Sequence, residues 1–311
     1  EALFLFSKFD SFIAILWLVI LFGFSKFLVF WFMFASLGEI NSLNSRFSWI
    51  NLDLLMKLLL ATRPYEKKKG SAQELYNMWQ KICYESLQNG HIKEYKKNIK
   101  NIIKAFNNIE VNYKERPKVG IVGEILIKYH AYGNDHLIEK LEKEGAEVTQ
   151  PDLMGFVKYC AYNSVIKANL LKTSVITKTV YKEALKFIDL YEKTYSKEIA
   201  NTRFRKPVKI QELAKNVEGI ISTGNQTGEG WFLTGEMIEL IKDDIKNIVC
   251  VQPFACLPNH IVGKAVIKKI RKLYPEANIV AIDYDPGASH TNQVNRIKLM
   301  LTVAKENMKR Q

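Results

Sequence analysis

Apolar positions along this chain change their period twice. From Leu52 to Asn108 they recur at helical spacing: Asp53–Leu60 reads as one apolar helix broken at Arg63-Pro64. Gly70-Ser71 opens a second helix, with Ser71 as N-cap and Glu74 three residues on, and Leu75, Met78, Trp79 and Ile82 form its apolar face. A third amphipathic helix is predicted over about 91–107. From Lys118 the apolar runs shorten. Val119–Gly123 predicts a strand, Asp135–Glu144 a helix closed by Gly145, and Ala146–Thr149 the next strand. Residues 152–216 return to helical spacing, with Leu185, Ile188, Leu190 and Tyr191 on one face. Strands are then predicted over 217–222, 247–252 and 278–282, alternating with helices over about 231–242, 261–273 and 291–308. Such alternation implies a parallel sheet with right-handed crossovers. The expected class is α/β: a Rossmann-like parallel sheet with flanking helices, a helical insertion and a helical N-terminal extension.

The pattern also predicts the organisation. Residues 1–48 form an apolar head, 49–115 a helical segment, and 116–311 an α/β domain with its helical insertion at about 152–216. Within the head, Phe12 to Leu37 carries one charge, Lys26, and is long enough to span a bilayer as a helix. A signal peptide fits less well, because the apolar region is too long and no small-residue cleavage site stands out. The other reading is that this head is foreign to the fold, since its composition breaks sharply near residue 50. Membrane association is expected only if 12–37 is a genuine span. The chain starts at Glu1 rather than Met and is expected to be a fragment or a processed form.

With 311 residues, 48% hydrophobic and 25% charged, the chain has the composition of a globular protein with a real core. Its net charge of +13 invites a nucleic-acid partner, but only 8 of the 45 basic residues are Arg, and the lysines spread along helical segments. No nucleic-acid partner is expected. The cysteines, Cys83, Cys160, Cys250 and Cys256, show neither a CxxC pair nor zinc-like spacing, which fits a reducing cytoplasm. Cys83 and Cys160 lie in helical, partly apolar surroundings and read as core thiols, and Cys250 lies inside a predicted strand.

In a parallel sheet, four loops converge on one edge: Glu124–Asn134, Thr223–Gly230, Pro253–His260 and Asp283–His290. The second carries Gly224, Asn225, Gln226, Gly228 and Glu229 ahead of a helix, so its backbone can approach a ligand and its N–H groups favour an anion. It lacks the Walker lysine and does not match GxGxxG. Cys256 follows the strand that ends at Pro253 and is the sharpest candidate metal ligand, with Cys160 the second choice. One thiolate cannot complete an iron–sulfur cluster. In the fourth loop Asp283 and Asp285 fit either an acid–base or metal pair, or an ordinary Pro-Gly turn capped by Asp285. In the first loop Lys128, Tyr129 and His130 are candidates for anion contacts.

Five segments resemble, in order, the C-terminal portion of acyl-CoA dehydratase activase-related proteins, relatives of the 2-hydroxyacyl-CoA dehydratases and double-cubane cluster proteins. They are Leu58–Glu66, Gly120–Ile125, Gly224–Glu236, Val251–His260 and Asp283–Ser289, and the resemblance covers roughly 50–308. It implies an oxygen-sensitive iron–sulfur domain, with a 4Fe–4S or double-cubane cluster, in a system where ATP hydrolysis drives an electron to very low potential. It further implies Cys256 as a cluster ligand, with the remaining cysteines outside this chain. The Gly224–Gly230 loop would line the site, and Gln252, Asn259 and His260 would surround the cluster sulfurs. Implied partners are an ATP-hydrolysing activase domain or subunit and an acyl-CoA-type substrate. The chain departs from the family in having no activase domain and in carrying Ala255 where Gly is usual. The competing expectation is a non-catalytic interaction domain that docks an activase subunit.

Overall fold

The computed structural model describes residues 48–89, 92–172, 175–285, 287 and 289–310. Nearly all of the apolar head, with the candidate span at 12–37, lies outside the described residues. Among the described residues no helix is long and apolar enough to cross a membrane.

Four strands, β1 (Lys118–Gly123), β2 (Glu147–Thr149), β3 (Asn247–Pro253) and β4 (Asn278–Tyr284), form one all-parallel sheet in the order β2-β1-β3-β4. Their near-continuous apolar runs reflect helices on both faces. One face of β3, through Ile248 and Cys250, packs on α9 (Gly230–Lys242) and α11 (Ile267–Leu273); Trp231, Leu233, Met237, Leu240 and Ile270 share that core. The other face, through Val249 and Val251, meets Leu137 and Leu141 of α5 (Leu137–Lys143) and Ile297, Met300 and Leu301 of α12 (His290–Arg310). The α/β, Rossmann-like class expected from the sequence is the observed one.

Helices α1 (Ser48–Thr62), α2 (Ser71–Asn89) and α3 (Ile92–Asn107) build a separate core of Leu54, Leu55, Leu58, Ile99, Ile102 and Phe106. Tyr195 and Ile199, from the end of α7 (Val175–Ile199), complete it. Helix α4 (Ile125–Tyr129) follows β1 directly. The stretch between β2 and α9 holds α6 (Leu153–Leu170), α7 and α8 (Ile210–Asn216).

The strand expected over 217–222 does not form. Instead Ile220 and Ile221 each donate back to the carbonyl of Val217 at 3.0 Å, and Gly219 takes φ +74°. Val217 is wholly buried as the C-cap of α8, so its apolar neighbours extend a helix end. The helix expected over 261–273 is also modified. A three-residue turn, α10 (Leu257–Asn259), runs into a π-helical turn at His260–Lys264 before α11 begins.

The helical layer meets the sheet through a polar seam. Asp53 of α1 accepts the backbone N–H groups of Leu153 and Met154 at 2.9 and 2.8 Å, closing the first turn of α6. Lys57, one turn on, pairs with Asp152 at 2.8 Å. Burial, together with the Asp152 charge, pushes the Asp53 carboxyl up from 3.8 to about 7, against the pull of the two N–H donors and Lys57. Between those pH values the folded chain holds a proton that the unfolded chain has lost, so stability falls as pH rises from about 4 to 7. Urea unfolding at pH 5 and pH 8 should show this loss in the wild type and a flatter dependence in Asp53→Asn.

Candidate functional site

The order of the sheet reverses between β1 and β3, and the crevice beyond their carboxyl ends is the switch point where open α/β sheets bind ligands. Two glycines let three loops meet there. Gly123 ends β1 at φ +143°, and a Cβ on it would lie 1.9 Å from the carbonyl oxygen of Val251. Gly230 starts α9 at φ +49°, where a Cβ would lie 2.2 Å from the Asn225 carbonyl and 2.5 Å from the Tyr159 hydroxyl. The Tyr159 hydroxyl in turn donates to the carbonyls of Gln226 and Gly228, fixing the glycine loop on α6.

Glu229 joins the loops. It is buried, and its Oε1 accepts the N–H of Ile125 at 3.0 Å. In the amide orientation that satisfies both neighbours, Asn259 donates to Glu229 Oε2 at 2.8 Å and accepts from the Glu124 N–H at 3.2 Å. The loops after β1 and β3 are thereby held to the glycine loop by one carboxylate. Burial raises the Glu229 carboxyl above its ordinary value, against the hydrogen bonds it accepts from the Ile125 N–H and its own backbone N–H.

Cys256 stands half-exposed beside this knot, and Gly228 packs against the neighbouring Pro258, a Cβ on it lying 3.3 Å from Pro258 Cβ. Burial raises the Cys256 thiol, helped by the charges of Glu229 and Glu124 and opposed by the Asn259 N–H. Cys250 and Cys83 are buried, each pushed up by burial to about 12, as core thiols should be. Cys160, read from sequence as a core thiol, is exposed on α6, because the inward position there belongs to Tyr159.

A second chain of polar groups runs along the floor of the crevice. His260 Nδ1 lies 2.8 Å from the Cys256 carbonyl, so it carries the proton, and Nε2 faces Lys264 Nζ at 3.3 Å. Lys264 also donates to Asp283 Oδ2 at 2.6 Å, and Gln252 Nε2 donates to Asp283 Oδ1 at 2.7 Å. Burial alone would raise the Asp283 carboxyl, but the hydrogen bonds from Lys264 and Gln252 hold it below its ordinary value. Gln252 Oε1 is buried without a partner.

Several expectations are corrected by these positions. Gln252 and Asn259 are wholly buried braces whose amide donors are taken by Asp283 and Glu229, so they do not present those groups to the crevice. The Asn225 and Gln226 side chains donate to the carbonyls of Ser222 and Thr223, shaping the glycine loop itself. Lys128 is no anion contact: it is buried, with Nζ 3.0 and 3.2 Å from the two oxygens of Glu236 on α9. Asp285 accepts the Gly287 N–H at 3.0 Å, the turn-capping role, while Asp283 is committed to Lys264.

Sequence reasoning missed Glu124, Glu236 and Lys264. Glu124 caps α4, its Oε2 accepting the Ile127 N–H at 2.8 Å. Glu is not among the residues that commonly cap helices, so the sequence carries no clear N-cap signal at 124. Nothing in the local pattern marks Glu236 or Lys264, whose partners lie 108 and 19 residues away.

Among the described residues, no cluster of three or more His, Cys, Asp or Glu side chains has the arrangement to hold a metal ion. A separate cleft of about 200 Å³, toward the amino-terminal side of the sheet, is lined by Lys57, Lys118, Arg203 and Arg205 among others. Asp152 neutralises Lys57, and Glu239 with Asp243 neutralises Arg205. Searches of protein-family models, of curated proteins and of solved structures each find no match to this chain.

The site yields two predictions. Glu229→Ala leaves the Ile125 N–H and the Asn259 amide without their acceptor and should cost about 2–4 kcal/mol in urea unfolding, with Glu229→Gln costing less. Glu124→Gln keeps an acceptor for Ile127 while removing a charge that raises the Cys256 thiol. Alkylation of Cys256 by iodoacetamide at pH 8, followed by peptide mass spectrometry, should accelerate a few-fold in that variant.

Proposed function

We propose that this chain is a dehydratase-like domain of an ATP-driven, low-potential electron-transfer system, with Cys256 supplying one ligand to an iron–sulfur cluster at the switch-point crevice. One observation supports this reading above the rest. Four of the five segments that carry the family resemblance, Gly120–Ile125, Gly224–Glu236, Val251–His260 and, through Asp283, the start of Asp283–Ser289, come from distant parts of the sequence and border one crevice. The fifth, Leu58–Glu66, lies away from the sheet edge in α1 and the turn after it.

The donor set fits a shared cluster and not a self-contained one. At this crevice the described residues offer one half-exposed thiol, so the other ligands of a 4Fe–4S or double-cubane group must come from elsewhere. When bound, such a cluster supplies one-electron chemistry. The chain's own residues would set its surroundings: the charges of Glu124 and Glu229 near the Cys256 sulfur would disfavour a further electron and so lower the potential. The Asn259 N–H, hydrogen-bonded to that sulfur, acts in the opposite sense. The partner under this reading is an ATP-hydrolysing activase domain or subunit, and the substrate class is acyl-CoA.

A second reading, a non-catalytic domain that docks the activase, is favoured by the rim. Phe254, Leu257 and Ile261 after β3, and Leu126 on α4, are exposed large apolar side chains around the same crevice. Iron separates the two readings. Anaerobic reconstitution of this chain with iron and sulfide, together with the polypeptide that supplies the remaining cysteine ligands, should give a cluster with visible absorption and a reduced-state EPR signal. Cys256→Ser should lose both, and the core variant Cys250→Ser should keep them. Equal iron in wild type and Cys256→Ser removes the ligand assignment, and iron absent from all three leaves the docking reading.

A further inference from the structure

Helices α6 and α7 form an antiparallel hairpin whose tip lies far from the crevice in chemical character. The pairing of the two helices is buried as far as Val165 and Ala168 on α6, and from Leu185 on α7. Between them, from Asn169 to Ala184, no described residue is buried. Five of the side chains on this tip are large aliphatics, Leu170, Leu171, Val175, Ile176 and Val180, and each is 60–77% exposed. That much apolar surface in one place costs solubility and marks an interaction face.

Charge on the tip is one-sided. No Asp or Glu occurs between Leu153 and Lys182, whereas Lys167, Lys172, Lys178 and Lys182 fall beside the aliphatic positions. None of these four lysines is in an ion pair with a described residue. The one nearby carboxylate, Glu183, pairs with Lys186 at 2.7 Å. Aliphatic side chains projecting beside lysines whose long stems can lie along apolar surface are the composition of an interfacial membrane anchor.

We propose that the α6–α7 tip docks on an anionic lipid surface, inserting Leu170, Leu171, Val175, Ile176 and Val180 below the headgroups while the four lysines meet lipid phosphates and carboxylates. A protein partner would have to supply an apolar groove shaped to this hairpin end, in which no described residue is buried. Nucleic acid would use the lysines but gain nothing from five aliphatics, and among the described residues of 169–184 the one aromatic ring, Tyr181, is half-buried. A bilayer uses both features and requires no shape match. The inference stands independently of any cluster at Cys256.

Hydrogen–deuterium exchange of the full chain reads the tip locally, so binding through any other segment does not register. Peptides spanning 169–184 should become protected on vesicles of phosphatidylcholine with phosphatidylglycerol, and much less on phosphatidylcholine alone. Half-molar salt should weaken the protection. Ile176→Glu with Val180→Glu should abolish it, and Lys172→Ala with Lys178→Ala should weaken vesicle affinity on the order of tenfold or more, from roughly one kcal/mol per lysine. Both pairs replace exposed or half-exposed side chains, and unchanged exchange elsewhere in α6 and α7 reports that the fold is kept. Unaltered exchange at 169–184 on anionic vesicles overturns the proposal. So does protection by single-stranded RNA in place of vesicles, or vesicle protection that survives both double variants.

Discussion

The crevice depends on the position of a single carboxylate. Glu229 sits at the start of a buried helix and accepts hydrogen bonds from the loops that follow β1 and β3. Parallel strands put their carboxyl ends side by side but leave the loops beyond them free to diverge. What holds these loops together is a hydrogen-bonded carboxylate with little solvent to compete, and in that setting a polar group is costly to leave without partners. The glycines at 123 and 230 serve the same end, since a side chain at either would drive the backbones apart.

Around that knot, buried charge is arranged in matched pairs. Lys128 meets Glu236 under the crevice, Lys158 meets Glu192 at 2.8 Å between α6 and α7, and Lys57 meets Asp152 at the helical seam. Such pairs contribute little net stability, because desolvation offsets their attraction, yet removing either partner is expensive. Their effect is to fix register. Lys128 has its Nζ 5.0 Å from the Tyr129 ring centroid and 5.9 Å from that of Phe232, so one charge orients α4 against α9. Because Ile125 begins α4 and Glu229 precedes α9, the ion pair and the crevice knot act on the same two helices.

Much of this architecture is legible in the sequence, for physical reasons that also explain the failures. Strands β1, β3 and β4 are apolar runs too short for helices and bounded by polar residues, and all three form close to where the pattern puts them. The false strand at 217–222 has the same local signature. Val217, Ile220 and Ile221 are apolar because they cover the core from a helix end, and periodicity alone cannot separate that from a buried strand. Loop convergence was legible because it follows from parallel topology. The roles of Asn259, Gln252 and Lys128 were not, because each is decided by a partner remote in sequence. Polarity in a loop says that a group needs a partner, without saying whether that partner is ligand or protein.

Ala255 shows how the local and global levels meet at the site. It lies one residue before Cys256, exposed, at φ +56°, a conformation that suits glycine and costs other residues of the order of 1–2 kcal/mol. The chain accepts that strain because the turn is fixed from both sides. Phe254 N–H donates to the Tyr284 carbonyl at 3.2 Å, and the Cys256 N–H donates back to Pro253 at 3.3 Å. The His260 N–H then returns to the Cys256 carbonyl at 3.0 Å, beginning the π-helical turn that carries Lys264 to Asp283. Without the left-handed residue the strand would run on past its neighbours, and the thiol would leave the edge of the crevice. The strain at Ala255 is held in place by the hydrogen bonds on either side of it, which is how a left-handed non-glycine residue persists in a fold.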